Sequence, residues 1–427
     1  MPHLHPGCGP LRRGQRRHSA QGAHTPIGQR GQLQHAGNGL LNWFYPQYCA
    51  PSGRSTRGGL GIVKRLLLAG GGTGGHLYPA MAVGQAWRER FGEEAELLFV
   101  GTADRIEATA VPRAGERLET IEITGIVGLS GWRKVLGLLR LPRALFQAVG
   151  IIRRFRPDVV LGAGGFASGP TVAAAWLMGY PTAILEQNSM PGVTNRILGK
   201  LVRRVFTQFQ ATADWFAARK VRQVGNPVRL DQLQSVDQRE VATGPEIHVL
   251  VLGESQGAQA LNEGLPAAIA AMPEALQTRL AVVHQAGPKR DLKPIEEAYG
   301  QTRAKAAVLP FLDDMPQRYA WSDLCVCRAG AMTVTELAVA GRGAVFIPFP
   351  LATHDHQRHN AQELVDQGAA RLVDQSHLDP QLAHTLEELA QHPEALRTMA
   401  QASKELGRPD AARAVAGELA ELAGLGA

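Results

Sequence analysis

Leu66-Leu67-Leu68-Ala69-Gly70-Gly71-Gly72-Thr73-Gly74-Gly75-His76 decides the reading of this chain. An apolar run passes directly into a glycine-rich turn, and an amphipathic stretch over 78–91 follows. A buried strand that feeds a helix through glycines is a cradle for a phosphate or a sugar nucleotide. The glycines let the backbone approach a ligand, and the helix start offers unpaired N–H groups to an anion. His76 adds a titratable group at the same point. One glycine loop is a weak signal. A second, Gly253-Glu254-Ser255-Gln256-Gly257-Ala258, follows the apolar run 247–252 and precedes a helix predicted over 259–271.

Working outward, strands are expected at 64–69, 96–100, 119–123, 158–161, 182–185 and 203–207, with helices such as 78–91 and 134–155 between them. Gly225-Asn226-Pro227 interrupts the alternation as a hinge. It then restarts, with strands at 247–252, 280–284, 306–309, 323–327, 343–347 and 370–373. Alternating short apolar and longer amphipathic segments read as parallel α/β. Two such runs, each with a ligand loop at its first strand–helix junction, imply two Rossmann-like doubly wound domains facing across a cleft. The expected domains are 63–225 and 226–407. Gly407-Arg408-Pro409 breaks the terminal helix. Its last part, about 408–427, carries Ala412, Val415, Leu419 and Leu422 on one face and is expected to pack back onto the first domain.

The chain of 427 residues is 44% hydrophobic, enough for two or three domains with ample core. Its net charge of +7 lies wholly in residues 1–62, which hold seven arginines, no lysine and no acid. The remainder is neutral, so a nucleic-acid-binding body is not supported. Residues 1–62 read as a disordered basic extension irrelevant to the fold, with Val63 opening the first strand. Cys8, Cys49, Cys325 and Cys327 form neither a disulfide framework nor a C-x-x-C pair, which favours a reducing cytoplasm. The longest apolar candidate, Val172 to Leu185, is broken by Gly179 and Pro181, so no membrane span is expected.

Several polar segments follow strand ends, where ligands bind in such sheets. Glu186-Gln187-Asn188 reads equally as a ligand loop or a helix cap. Ser255 suits a diphosphate or simple N-capping. In Arg328–Glu336, Glu336 is placed either to accept hydrogen bonds from ribose hydroxyls or to complement a helix macrodipole. His354-Asp355-His356-Gln357-Arg358-His359-Asn360 is the densest polar cluster. A metal there is disfavoured, because a run in one loop does not converge, and a sugar-hydroxyl site using Gln357 is the better reading. With no Asp-x-Asp pair in the body of the chain, helix N-termini and Arg229 are candidates to neutralise a diphosphate. Residues 126–156 hold many basic residues and no acid, interleaved with large apolar ones. They fit either an anionic membrane interface, with Trp132, Arg133, Lys134, Leu136 and Arg140, or an ordinary core helix with a basic outer face.

Together these segments resemble the MurG family. The resemblance rests on Gly71–His76 with Pro79-Ala80, Pro157–Gly162 with Gly164-Gly165, Ser168-Gly169-Pro170, Glu186-Gln187-Asn188, Gly225–Arg229, Ser255–Ala258, Asp313-Asp314-Met315, Ala331–Glu336 and Gln357 with Asn360-Ala361, all in order. It covers about residues 64–425. It implies a GT-B glycosyltransferase that moves GlcNAc from UDP-GlcNAc to the MurNAc C4 hydroxyl of lipid I, with inversion, no cofactor and no essential metal. The implied location is the cytoplasmic face of the anionic bacterial inner membrane, as a peripheral protein, with cell-wall or division machinery as possible partners and no nucleic acid. The resemblance further implies that His76 is the general base, and that Thr73, Gly74 and Gly75 line the donor–acceptor cleft. Asn188 faces the GlcNAc, and Arg229 and Ser255 face the diphosphate. The Leu312 backbone contacts uracil, and Ala331, Met332, Thr333, Val334, Thr335 and Glu336 wrap the nucleoside and phosphate. Glu336 holds the ribose and Gln357 holds sugar hydroxyls. Glu254, Arg358 and His359 depart from the family pattern. The alternatives on the same fold are a transferase for another lipid acceptor, an epimerase, or a non-catalytic UDP-sugar-binding protein.

Overall fold

The structure is a computed structural model that describes residues 63–123, 132–228, 240–253 and 257–425. The extension 1–62, Arg229 and Ser255 lie outside the described residues.

The first sheet has seven strands: β1 (Lys64–Ala69), β2 (Ala95–Gly101), β3 (Leu118–Thr120), β4 (Val159–Gly162), β5 (Thr182–Glu186), β6 (Arg204–Thr207) and β7 (Val221–Gln223). Their order is β3-β2-β1-β4-β5-β6-β7, and every pairing is parallel. The second sheet has six: β8 (Ile247–Leu252), β9 (Leu280–Gln285), β10 (Lys305–Leu309), β11 (Leu324–Cys327), β12 (Gly343–Phe346) and β13 (Ala370–Leu372). Its order, β10-β9-β8-β11-β12-β13, repeats that scheme, again wholly parallel. These are two Rossmann-like domains. Residues 121–123 do not extend β3, and β7 is a strand the sequence did not signal, since Val221-Arg222-Gln223 has no apolar run.

Helices cover both faces of each sheet, which is why the central strands read as unbroken apolar runs rather than alternations. Leu66 to Ala69 are fully buried, divided between the two cores of the first domain. The last helix, Ala411–Leu422, leaves the second domain and returns to the first. It buries Val415 and Leu419 against α1 (Gly74–Phe91). Glu418 fastens it by accepting from Arg204 Nε at 3.2 Å and Arg222 Nε at 3.1 Å.

In each sheet the order reverses beside one strand: β1 lies between β2 and β4, and β8 between β9 and β11. The carboxyl ends at this switch point leave a crevice. Gly70–Gly75 follows β1, Gly164-Gly165 follows β4, the second glycine loop follows β8, and Ala329-Gly330 follows β11. The described parts of these loops therefore open at switch points.

Candidate active site

The helix after β1 begins at Gly74, earlier than the expected 78, so the glycine loop itself becomes the first turn. Thr73 is its exposed N-cap, and the first amides of the helix have no intrahelical acceptor. His76 sits on that turn, partly buried. Its Nδ1 lies 3.1 Å from Thr73 Oγ1, and the ring also reaches the Gly71 carbonyl. Gly164, at φ +95°, makes room for it: a Cβ there would stand 2.3 Å from His76 Cδ2. Burial pushes the imidazole down to about 4, the Gly71 carbonyl and Glu107 pull upward, and His356 of the other domain pushes down. The ring is therefore neutral at neutral pH. A neutral ring has one N–H, and placing it on Gly71 leaves the other nitrogen a lone pair, as a general base requires.

Glu186, at the end of β5, is buried, and burial raises its carboxyl above the usual range. It accepts from the Asn188 amide N–H at 3.1 Å, Gly192 N–H at 3.0 Å and Asn195 Nδ2 at 2.9 Å, which pins the loop carrying Asn188. Asn188 then meets the second domain, where Asn360 Nδ2 donates to its Oδ1 at 3.3 Å. The side-chain Oδ1 of Asn360 accepts from Ser189 N–H at 2.8 Å. Gln208 and Asn226 contact Thr335, at 2.8 and 3.4 Å. Asn188, Asn360, Gln208 and Thr335 thus join the two domains along one polar seam.

The helix α11 (Ala331–Ala340) starts at the second domain's switch point. Glu336 is buried and accepts from Tyr319 Oη at 2.8 Å. Burial raises its carboxyl to about 7, with the Tyr319 bond acting against the rise. Met332 and Thr333 are partly exposed, and Ala331 is at the edge of burial. The Val334 and Leu312 side chains belong to the core, so only their backbones are available to a ligand. Thr335 spends its hydroxyl on Gln208 and the Ala331 carbonyl.

The cluster 354–360 is not one loop, as the sequence suggested. His354 and Asp355 turn through φ +55° and +53°, and His356–Asp366 is a helix, α12. Two successive non-glycine residues in the left-handed region store strain at this turn. The helix lets Gln357, buried, accept from Phe349 N–H at 2.9 Å, while Asn360 faces Asn188. Among the described residues no three His, Cys, Asp or Glu side chains converge as a metal ion would require.

Of the basic–apolar segment, 132–155 is helical (α3), but the side chains of Trp132, Arg133, Lys134 and Leu136 lie outside the described residues. Arg140 is exposed. Farther along, Phe146 is 77% exposed, and on the adjoining helix α4 (Ser168–Leu177) Trp176 is 42% and Leu177 64% exposed.

Sequence reasoning missed Glu107 and Tyr319. Glu107 stands in the first turn of α2 (Glu107–Arg113), and Tyr319 lies in α10 (Met315–Trp321). Neither adjoins a glycine loop in sequence, and each acts through a tertiary contact.

A sheet pair of this topology, with glycine loops opening at facing switch points and an imidazole at one of them, is the GT-B fold of nucleotide-sugar enzymes. Two family descriptions match: the glycosyltransferase family 28 N-terminal domain over residues 66–207 and its C-terminal domain over 248–415. The UDP-N-acetylglucosamine–N-acetylmuramyl-(pentapeptide) pyrophosphoryl-undecaprenol N-acetylglucosamine transferase of Myxococcus xanthus is 43% identical over 355 residues, covering 83% of this chain and 92% of that protein. The crystal structure of Acinetobacter baumannii MurG superposes with a TM-score of 0.71 at 31% identity, over 84% of this chain and 99% of that one. The UDP-GlcNAc 2-epimerase of Neisseria meningitidis, bound to UDP-GlcNAc, reaches 0.56 at 14% identity, over 84% of this chain and all (100%) of that one, and shares the fold alone. The chain belongs to the MurG family of N-acetylglucosamine transferases.

Proposed function

We propose that this chain transfers GlcNAc from UDP-GlcNAc to the MurNAc C4 hydroxyl of lipid I, giving lipid II for peptidoglycan synthesis. Membership of the MurG family supports the reaction. The observation that carries the mechanism is the placement of His76, neutral and held by Thr73 Oγ1 and the Gly71 carbonyl at the mouth of the first switch point, within electrostatic reach of His356 across the cleft.

In this reading UDP-GlcNAc lies on the second domain, its ribose on Glu336 and its diphosphate at the starts of the helices after β8 and β11, with Arg229 and Ser255. Asn188 and Gln357 orient the sugar. Lipid I enters over Gly70–Gly75. His76 takes the C4 proton as that oxygen attacks the anomeric carbon, and the bond to UDP breaks from the opposite face. One displacement inverts the α-linked donor to a β-linked product. Helix N-termini meet the charge developing on UDP, so the chemistry needs no metal. The low basicity of the buried ring rises once anionic substrates fill the cleft. Division of the chain into an acceptor domain, 63–225 with the terminal helix, and a donor domain, 226–407, follows.

We place the protein on the cytoplasmic face of the inner membrane. Phe146, Trp176 and Leu177 stand exposed on adjoining helices, with Arg140 and Arg153 exposed on the same helix as Phe146, the pairing an anionic lipid surface takes up. No described helix is long and apolar enough to cross a membrane.

The test is UDP release from UDP-GlcNAc with and without a lipid I analogue. Release is expected only with the analogue, with a β-linked product by proton NMR. His76→Ala should lose about 10²–10⁴-fold in turnover while UDP-GlcNAc binding persists. Consumption of UDP-GlcNAc without lipid would refute the reaction, and full turnover by His76→Ala would remove it as base.

A further inference from the structure

We propose that Glu107 is a positioning residue for the reaction: its carboxylate fixes the first glycine loop and supplies the negative charge that steadies His76 when the ring takes the acceptor proton. This rests on the reading of His76 as general base.

Glu107 is 1% exposed. Its Oε2 accepts from Gly72 N–H at 2.8 Å, and its Oε1 accepts from Thr102 N–H at 2.9 Å and Thr102 Oγ1 at 2.7 Å. All three partners donate, so a carboxylate satisfies them and an amide would turn its own donor on one of them. Two glycines make the space. A Cβ on Gly71 would stand 2.4 Å from the Glu107 carboxyl carbon, and one on Gly101 would stand 2.5 Å from its Cγ. Gly71 therefore serves an internal carboxylate, where the sequence suggested close approach of a ligand.

Among the described residues no Lys or Arg pairs with Glu107. Asp104 and Arg105, just before α2, pair with each other at 3.8 Å. A buried charge held only by neutral donors keeps its field, and His76, whose ring reaches the carbonyl of the same Gly71 that packs on the carboxylate, lies within it. The groups that face His76 are Thr73 and the Gly71 carbonyl from its own loop, Glu107 from α2 and His356 from α12 of the opposite domain. Glu107 favours the charged ring and His356 opposes it. In the transfer the proton passes from the C4 hydroxyl to His76, the C4 oxygen bonds to the anomeric carbon, and UDP leaves with the electron pair. Glu107 exchanges no proton; it makes the imidazolium less costly inside the protein.

The test compares E107Q, E107D, H76A and the double variant H76A/E107Q with a lipid I analogue, while calorimetry with UDP reports the fold of the second domain. E107Q should lower kcat about 10–100-fold, leave the KM for UDP-GlcNAc within about two-fold, and move the acid limb of the kcat profile down by about one pH unit. E107D, which keeps the charge on a shorter arm, should restore the acid limb and only part of kcat. In the H76A background E107Q should cost less than about three-fold, because the two act as one unit. An equal loss with and without His76, or an unmoved acid limb in E107Q, would overturn the proposal. If E107Q fails to fold, E107D decides, and a displaced acid limb in that variant overturns it. Wild-type turnover in H76A alone would instead sink the general-base reading.

Discussion

Tyr319→Phe tests how donor recognition is tuned. Tyr319 is 1% exposed and supplies the hydrogen bond to Glu336 Oε2 at 2.8 Å. Burial raises the Glu336 carboxyl to about 7, so near neutral pH it stands at the midpoint between its charged and neutral forms. Ribose hydroxyls donate to the charged form. Affinity for UDP-GlcNAc should therefore climb as pH rises through about 7 and then level off. Removing the phenolic O–H deletes a bond to a charged acceptor, worth about 1.5–3 kcal/mol, which raises the midpoint by about one to two units. At pH 7.5 the ionised fraction would drop from about three-quarters to between about a quarter and a few hundredths, an affinity loss of about 3- to 25-fold. The loss should shrink toward pH ~8.5 as the carboxyl ionises again. Calorimetry with UDP-GlcNAc from pH 6 to about 8.5 reads this, because a diphosphate esterified at both ends does not titrate there and the uracil N3–H stays mostly protonated. A loss of the same size at every pH would refute the argument, as would a wild-type affinity that is flat with pH.

Gly164→Ala should lower kcat at least about ten-fold, because the new Cβ would fall 2.3 Å from His76 Cδ2 and strain a φ of +95°. UDP-GlcNAc binding should stay unchanged by calorimetry, and an unaffected kcat would contradict the placement of the ring. His284 is fully buried between Tyr299 Oη at 2.9 Å and Asn262 Oδ1 at 3.1 Å, and burial holds it at about 4. The unfolded chain takes the proton first, so its contribution is complete above about 6.5 and is lost as pH falls toward 4. About 2 kcal/mol should disappear between pH 7 and 5, measured by urea unfolding, and His284→Gln should remove that share of the acid sensitivity. Replacing Phe146 and Trp176 together by Ser should weaken sedimentation with anionic vesicles at least about ten-fold, leaving UDP binding intact; undiminished sedimentation would exclude this face as the membrane contact.

What the sequence disclosed and what it withheld follow from one physical distinction. The strands were legible because a doubly covered parallel sheet makes each an unbroken apolar run: Leu66–Ala69 and Val249–Leu252 advertise themselves. The glycine loops were legible because only glycine tolerates the backbone they need, as at Gly72, φ +85°. Residue pairs that meet only in three dimensions leave no such trace. Glu107 lies 35 positions from Gly72, Asn360 lies 172 from Asn188, and Tyr319 lies a full helix-and-strand connection from Glu336. In local sequence Glu107 is an acid in a helix's first turn, indistinguishable from a macrodipole partner. Its meaning comes from Gly71 and Gly101, whose missing Cβ atoms give the carboxylate its space. The same holds for β7, whose Val221-Arg222-Gln223 carries no strand signal. It is a strand because Val205, Phe206 and Thr207 offer a free edge and the returning Glu418 holds Arg222. Loops that touch ligand through backbone are written locally in glycine. The groups that tune them are written in packing, so the residues adjusting His76 and Glu336 are those a one-dimensional reading passes over.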